Sequence, residues 1–292
     1  MRLTKTKAEI SSTPNSEQVN QRVSITLTSH GKSPLSALRE LFAARELVFF
    51  LVWRDLKVRY RQTVLGLAWI LLQPLVSLIL FTVIFGRLAK LPSDGLPYQV
   101  FVVSGLVIWT FFINGVLAAS NSVIANEALV SKIYFPRLAI PLSAILSGLV
   151  DFLVSFAFMA VILLLFGVAP TLKMLLFIPL TFVAFLAACG AGFFLAGLNV
   201  LYRDVKHLVP FMAQVWFFGS PVVYPLSLFP KDLHLLLAIN PMTGILEGCR
   251  WAVGASNAPW VAILCSVMVS VIMLVTGIVA FTRGERRFAD VI

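Results

Sequence analysis

Residues 140–166 read IPLSAILSGLVDFLVSFAFMAVILLLF, and Asp151 is the one charged side chain in this stretch. The hydrocarbon core of a bilayer is about 30 Å thick, and about 20 consecutive apolar residues cross it as a helix. The stretch exceeds that length, so it predicts a transmembrane helix rather than the shorter strand of a membrane barrel.

The composition of the whole chain agrees with this reading. Of the 292 residues, 59% are hydrophobic and only 12% are charged. A soluble domain carries about 45–50% apolar and about 25% charged residues. This shortage of charge excludes a soluble enzyme, a disordered protein and a secreted disulfide scaffold. We therefore predict an all-α integral membrane protein.

The apolar runs predict six transmembrane helices, at 64–86, 98–119, 140–166, 172–200, 209–223 and 260–281. If the N-terminus is cytoplasmic, 18 of the 23 Lys and Arg residues fall in cytoplasmic segments, as the positive-inside rule requires. A seventh span would place the arginine-rich C-terminus outside. Six spans therefore fit best, with both termini in the cytoplasm.

The segments between the spans have distinct compositions. Residues 1–34 are polar and predict a flexible cytoplasmic tail. Residues 35–61 alternate apolar and charged positions at helical spacing, which predicts an amphipathic helix at the membrane interface and a basic entrance loop. Residues 120–137 form a polar cytoplasmic stretch. Residues 225–258, interrupted by prolines and charges, predict re-entrant outer helices.

A basic cluster stands immediately before the first span. It consists of Arg54, Lys57, Arg59, Tyr60 and Arg61. Such a cluster often anchors a protein to anionic lipid. The alternative is capture of a phosphate-bearing lipid headgroup, because arginine's forked donors suit phosphate.

Asp151 lies in a polar stripe with Ser143, Ser147 and Ser155, spaced four residues apart. A carboxyl group at this depth is costly, so it either joins helices through hydrogen bonds or faces a translocation path. Aromatic residues near the predicted outer ends of the spans allow two readings, an interfacial belt or a pore lining that stacks on sugar rings. These candidates are Trp109, Phe112, Trp216, Phe217 and Tyr224.

Signals of catalysis or cofactor binding are weak in this chain. His30, His207 and His234 are scattered, so we predict no catalytic residue and no metal site. Gly31-Lys32-Ser33 resembles the end of a P-loop, but Thr26 occupies the position where that motif requires glycine. We therefore predict no nucleotide site in the chain itself. No nucleic-acid recognition module is visible either.

Several motifs occur in an informative order along the chain. They are RDLKVRYRQTVLGLAWILLQP at 54–74, YFPR at 134–137, NVLYRD at 199–204, SPVVYP at 220–225 and NP at 240–241. This series resembles the ABC-2-type polysaccharide-export permeases, the membrane subunits that export O-antigen, capsule and teichoic acid. The resemblance covers about residues 35–292.

The resemblance implies a homodimeric permease of the bacterial inner membrane that works with two separate ATP-binding subunits. ATP and Mg²⁺ would bind to those subunits. The substrate would be a polyprenyl-diphosphate-linked glycan, whose diphosphate meets the basic loop 54–66, while 120–133 couples to the ATPase. The implied ATPase contacts are Arg39, Glu40, Arg45, Asn126, Glu127 and Lys132.

Three alternatives remain at this point. The chain could be an ABC-2 permease for a small amphipathic drug or lipid. It could also be a membrane enzyme acting on polyprenyl phosphates, although a cytoplasmic cluster of acids or histidines is missing. An ion-coupled secondary transporter would rest on Asp151 alone.

Overall fold

The computed structural model describes residues 34–61, 68–132, 135–169, 171–202, 204–256 and 258–291. Within these ranges all regular structure is helical, which confirms the all-α prediction. The predicted tail, 1–34, lies outside them except for Pro34, where the first helix begins.

Eleven α-helices are found in the described ranges. They are α1 (Pro34–Ala43), α2 (Arg45–Arg61), α3 (Ala68–Phe81), α4 (Tyr98–Ala125), α5 (Glu127–Lys132), α6 (Ala139–Leu165), α7 (Phe177–Leu201), α8 (Val205–Phe218), α9 (Lys231–Leu237), α10 (Pro241–Val253) and α11 (Trp260–Val291). A π-helical segment, Thr82–Leu88, extends α3, and short 3₁₀ turns occupy Leu172–Leu176 and Leu226–Leu228.

Five helical segments of the described chain are long and apolar enough to cross a membrane. They are Ala68–Leu88, Tyr98–Ala125, Ala139–Leu165, Leu172–Leu201 and Trp260–Glu285. Each overlaps one of the six predicted spans. The prediction of membrane helices is therefore confirmed for five segments.

The predicted fifth span, 209–223, does not form a helix of membrane-crossing length. It corresponds to α8, which has 14 residues and rises about 21 Å at 1.5 Å per residue. Gly219, Ser220 and Pro221 follow the helix, and a proline cannot continue the hydrogen-bonding pattern. The structure therefore does not confirm a sixth span.

The predicted interface helix, 35–61, is divided into α1 and α2 by a turn at Ala44. Leu41 and Leu51 are buried against the protein, whereas Phe42, Phe49 and Trp53 are largely exposed. Large exposed aromatic side chains beside charged residues are typical of a helix pair that rests on a membrane surface.

Helix α4 is the centre of the fold, since most of its side chains are buried between α6 and α7. Helix α3 has the opposite character. Only 17% of the most apolar part of Ala68–Leu88, which contains α3, is buried inside the chain. Large side chains such as Ile79 and Leu80 are exposed. Most of the apolar surface of α3 must therefore be covered by lipid or by another protein.

The tightest helix crossing joins α7 to α11. A Cβ atom added at Gly190 would come within 2.6 Å of the Leu274 amide nitrogen, which is closer than real Cβ atoms approach. Gly277 lies against the backbone of Gly190 in the same way. Glycine at both positions lets the two backbones touch, a contact typical of membrane helices.

Two helices continue beyond their predicted ends. Helix α4 runs through 120–125, where the hydroxyl groups of Ser120 and Ser122 donate to carbonyl oxygens of the preceding turn. Helix α11 continues past 281 as a charged extension. There Arg137 donates to the Glu285 carbonyl oxygen at 2.9 Å, which fixes the extension against the start of α6. Polar and charged composition ended the predicted spans there, although the backbones remain helical.

Candidate functional site

The end of α2 is tied to the middle of α6 through Asp151. Arg59 Nη1 lies 2.6 Å from Asp151 Oδ2, and the Tyr60 hydroxyl donates to Asp151 Oδ1. Arg59 Nη2 also donates to Ser147 Oγ at 3.4 Å, while the Ser147 hydroxyl donates to the Ala144 carbonyl oxygen. The structure thus joins the basic cluster to the lone acidic residue of 140–166.

The environment of Tyr60 keeps its hydroxyl protonated. Burial raises the pKa of Tyr60 to about 12, and the hydrogen bond to Asp151 acts in the same direction. A carboxylate stabilises the neutral phenol because the phenol donates to it. At neutral pH, Tyr60 is therefore a hydrogen-bond donor that adds no charge to the site.

The other members of the basic cluster have different surroundings. Arg54 pairs with its neighbour Asp55, with Nη2 2.7 Å from Oδ1. Lys57 and Arg61 are exposed. Residues 62–67, which follow Arg61, lie outside the described residues, and so do the motif residues Thr63, Leu65 and Gly66. The cluster therefore offers two exposed cations beside one that Asp151 already engages.

A small cavity of about 30 Å³ opens beside this ion pair, between α4 and α6. Its polar lining comes from Thr110 and Asn114 on α4 and from Asp151 and Ser155 on α6, with Arg59 at one side. The volume is about that of one water molecule. Polar groups from three helices thus converge on one small space.

Four of the predicted path residues form one aromatic cluster. Phe112 and Trp216 meet edge to face with ring centroids 4.9 Å apart, and Trp109 meets Phe217 at 5.6 Å. Trp109 and Phe112 are buried within the chain, whereas Trp216 and Phe217 are partly exposed. In a single chain, the α4 side of this cluster is therefore packed, and its α8 side provides the accessible surface.

Asn240 fixes the position of this cluster. The Trp216 indole N–H donates to Asn240 Oδ1 at 3.1 Å, and the same oxygen caps α10 by accepting from the Met242 amide. Asn240 Nδ2 donates to Ser220 Oγ at 2.8 Å. One side chain thereby links α8, the turn after it and the start of α10.

Tyr224 lies apart from the aromatic cluster. Its ring meets Phe229, and its hydroxyl donates to the Phe218 carbonyl oxygen at 2.7 Å. The predicted path residues Asp151 and Tyr224 therefore do not share the aromatic cluster formed by Trp109, Phe112, Trp216 and Phe217.

Sequence reasoning missed Arg250 as a site residue. Its side chain is buried, with Nη1 2.7 Å from Glu247 Oε1 and Nη2 donating to the Val222 carbonyl oxygen at 2.8 Å. The guanidinium also lies 3.6 Å from the centre of the Phe101 ring. Glu247 and Arg250, one helical turn apart in an otherwise apolar helix, are the signal that could have revealed this network.

The predicted ATPase contacts occupy two places. Arg39 and Arg45 are exposed on α1 and α2, and Glu40 lies between them. Glu127 is exposed at the start of α5, while Asn126 donates to the Ser122 carbonyl oxygen and ends α4. Lys132 ends α5, with its side chain outside the described positions, as are the motif residues Tyr134 and Arg203. Polar side chains thus remain available on both segments.

Comparison with known proteins gives one family and consistent relatives. Residues 46–253 match the family described as ABC-2 type transporter. The chain is 30% identical to the O-antigen export system permease protein RfbA of Myxococcus xanthus, over 87% of this chain and 98% of that protein. It is 27% identical to the Klebsiella pneumoniae protein of the same name, over 85% and 95%. The polysialic acid transport protein KpsM of Escherichia coli is 23% identical, over 68% and 78%.

Proposed function

Because the chain belongs to the ABC-2 type transporter family, we propose that it is the permease subunit of an ATP-driven exporter that moves a polyprenyl-diphosphate-linked polysaccharide across the bacterial inner membrane. The family assignment agrees with the resemblance of the motifs. Similarity along nearly the full length of an O-antigen permease is the observation that carries this proposal.

The lipid-diphosphate end of the substrate is received by the basic cluster. Arg59, Lys57 and Arg61 provide positive charge beside the first span, and the neutral Tyr60 hydroxyl provides a further donor. A guanidinium can form two parallel hydrogen bonds to a phosphate, which gives it both affinity and orientation. The cluster thus selects the charged end of the substrate, whatever sugars follow it.

Transport requires partners that supply ATP hydrolysis. Two copies of the permease work with two ATP-binding subunits, which hold ATP and Mg²⁺. The ATPase docks on the polar residues of α1, α2 and α5, so that its closure moves the helices attached to them. In this arrangement the permease itself has no catalytic role.

The glycan passes between two permease copies along the partly exposed rings of Trp216 and Phe217. Helix α8 acts as the fifth crossing together with the turn that follows it, and α9 and α10 dip into the outer leaflet as re-entrant helices. Both termini then lie in the cytoplasm. Sugar rings present flat apolar faces to aromatic side chains, which bind them without selecting one sequence of sugars.

The full exporter tests this proposal. The chain is co-expressed with its ATP-binding subunit, purified, and reconstituted in vesicles that contain a polyprenyl-diphosphate-linked glycan. We expect the ATPase to co-purify and the glycan to cross the membrane only with ATP. Transport driven by an ion gradient without ATP would contradict the proposal, as would vesicles that move no glycan while a bound ATPase remains active.

A small amphipathic drug or lipid is the second candidate substrate. An apolar cavity of about 400 Å³ lies between α4, α7, α8 and α11, lined in part by Ile113, Phe194 and Met212. Cavities of about 300–1,000 Å³ accommodate small ligands. Stimulation of the ATPase by short amphipaths, but not by the glycolipid, would favour this candidate.

A further inference from the structure

We propose that Asp151 keeps the phosphate-binding site of this permease closed, and that an incoming diphosphate opens it by replacing the Asp151 carboxylate on Arg59 and Tyr60. This inference rests on the proposed function, because it assumes that the basic cluster receives a diphosphate. It adds that the Asp151 carboxylate competes with the diphosphate for the donors of this site.

The carboxylate occupies donors that a phosphate would use. Asp151 takes one hydrogen bond from Arg59 and another from Tyr60, one on each of its oxygen atoms. Carboxylates and phosphates present the same kind of acceptor to a guanidinium. The intramolecular contact therefore resembles a substrate already in place.

The space beside the ion pair is small. The cavity beside the pair measures about 30 Å³, about the volume of one water molecule, and a phosphate group is larger. A phosphate group that takes the donors of Arg59 Nη1 and the Tyr60 hydroxyl must therefore displace the carboxylate from them. Thr110 and Asn114 on α4 line the same cavity.

The strength of the contact suits a competitor that can be replaced. The side chains of Arg59 and Asp151 are 38% and 28% exposed, so water and salt screen their attraction. A pair of this kind contributes little compared with a fully buried one. The diphosphate brings more negative charge, and Lys57 and Arg61 stand nearby to attract it.

Displacement has a mechanical consequence for α2. Arg59 and Tyr60 tie the end of this helix to Asp151 on α6, and α1, which carries part of the proposed ATPase contact, directly precedes α2. When the carboxylate is replaced, the Asp151 links between α2 and α6 are broken and the weaker bond from Arg59 to Ser147 remains. Binding of the substrate thereby loosens the helices that contact the ATPase.

The purified exporter complex in lipid nanodiscs tests the proposal, with polyprenyl diphosphate as the probe. Asp151→Asn keeps the shape of the side chain and removes its charge, so we expect the Kd for polyprenyl diphosphate to fall about two- to fivefold. Asp232→Asn, at an exposed aspartate on α9, makes the same change of charge and should leave the Kd unaltered. In the Arg59→Ala background, Asp151→Asn should no longer tighten binding.

The possible failures are distinguishable. If Arg59→Ala weakens binding but Asp151→Asn leaves it unchanged or weakens it, Asp151 is a structural link and the competitor proposal is overturned, while headgroup capture stands. If Arg59→Ala and Arg61→Ala both leave binding unchanged, the binding site itself is overturned. The same measurement is made in nanodiscs whose only anionic lipid is phosphatidylglycerol. If Asp151→Asn increases the affinity for phosphatidylglycerol by the same factor, the gain is a general effect of charge, and this result also overturns the proposal.

Discussion

The guanidinium of Arg250 lies over the face of Phe101, with its central carbon 3.6 Å from the ring centre. The same guanidinium binds Glu247 and the Val222 carbonyl oxygen. A buried charge is tolerated only when it is paired and hydrogen-bonded. This contact therefore holds the turn 220–225 between α4 and α10, and it leads to the first prediction.

Replacing Arg250 with leucine should lower the free energy of unfolding by about 3 kcal/mol, because the half-buried Glu247 loses its ion-pair partner and keeps only the weaker bond from the Leu226 amide. Thermal unfolding of the detergent-solubilised protein measures this effect. Arg87→Leu removes an exposed arginine and should change stability little. Equal melting temperatures for the two variants would show that the buried network contributes no stability.

Gly190→Ala should destabilise the α7–α11 crossing by about 1–3 kcal/mol, since the new methyl group forces two backbones apart. Gly148 offers a matched control, because a methyl group added there meets no atom within 4 Å. The melting temperatures of the two alanine variants should differ clearly. A Gly190→Ala protein as stable as Gly148→Ala would refute the close crossing.

The double change Arg59→Ala plus Arg61→Ala should reduce export strongly while membrane insertion and ATPase binding survive. Each hydrogen bond to a charged group contributes about 1.5–3 kcal/mol, so we expect the substrate concentration for half-maximal ATPase stimulation to rise at least about tenfold. Arg87→Ala plus Lys173→Ala removes the same charge elsewhere. Normal surface glycan in the Arg59/Arg61 variant would exclude headgroup capture.

Trp216→Ala should reduce glycan export, because it removes the ring that meets Phe112 and the indole N–H that binds Asn240. An aromatic pair contributes about 0.5–1.5 kcal/mol, so an effect of about two- to tenfold on substrate-stimulated ATPase activity is expected. Trp216→Phe should retain more activity. Unchanged export and ATPase activity in Trp216→Ala would favour the interfacial belt. Trp260→Ala, at an exposed tryptophan outside the aromatic cluster, is the comparison variant.

Glu127→Lys should weaken association with the ATPase subunit, since it reverses a charge on the exposed start of α5. Charges at the rim of an interface mainly change the association rate and its salt dependence. Surface plasmon resonance between the two subunits measures both quantities. Asp232→Lys reverses an equivalent charge on α9, and an equal loss of binding in that variant would remove α5 from the interface.

Local composition was sufficient to predict the membrane helices. A helix of membrane-crossing length requires only a continuous apolar run, and five such runs became long helices. The run 209–223 is not confirmed as a span, because hydropathy does not register where a chain turns. The backbone stops being helical at Gly219, although Val222 and Val223 remain apolar and buried.

The pairing within the site was beyond the reach of the sequence. Arg59 and Asp151 are separated by 92 positions, and only the packing of α2 on α6 brings them together. Each residue type alone indicated that a partner exists, since a charge in an apolar run requires one. Which partner it takes depends on the tertiary structure, as it does for Arg250 and Phe101.

The glycine contact between α7 and α11 also bears on how the protein is made. Gly190 and its neighbours on α7 leave the ribosome long before Met273 and Gly277, so this narrow seam stays open while the intervening helices are inserted. Lipid tails must fill it until α11 arrives and displaces them. A chain interrupted before α11 would therefore leave the Gly190 face of α7 without the helix that it is shaped to contact.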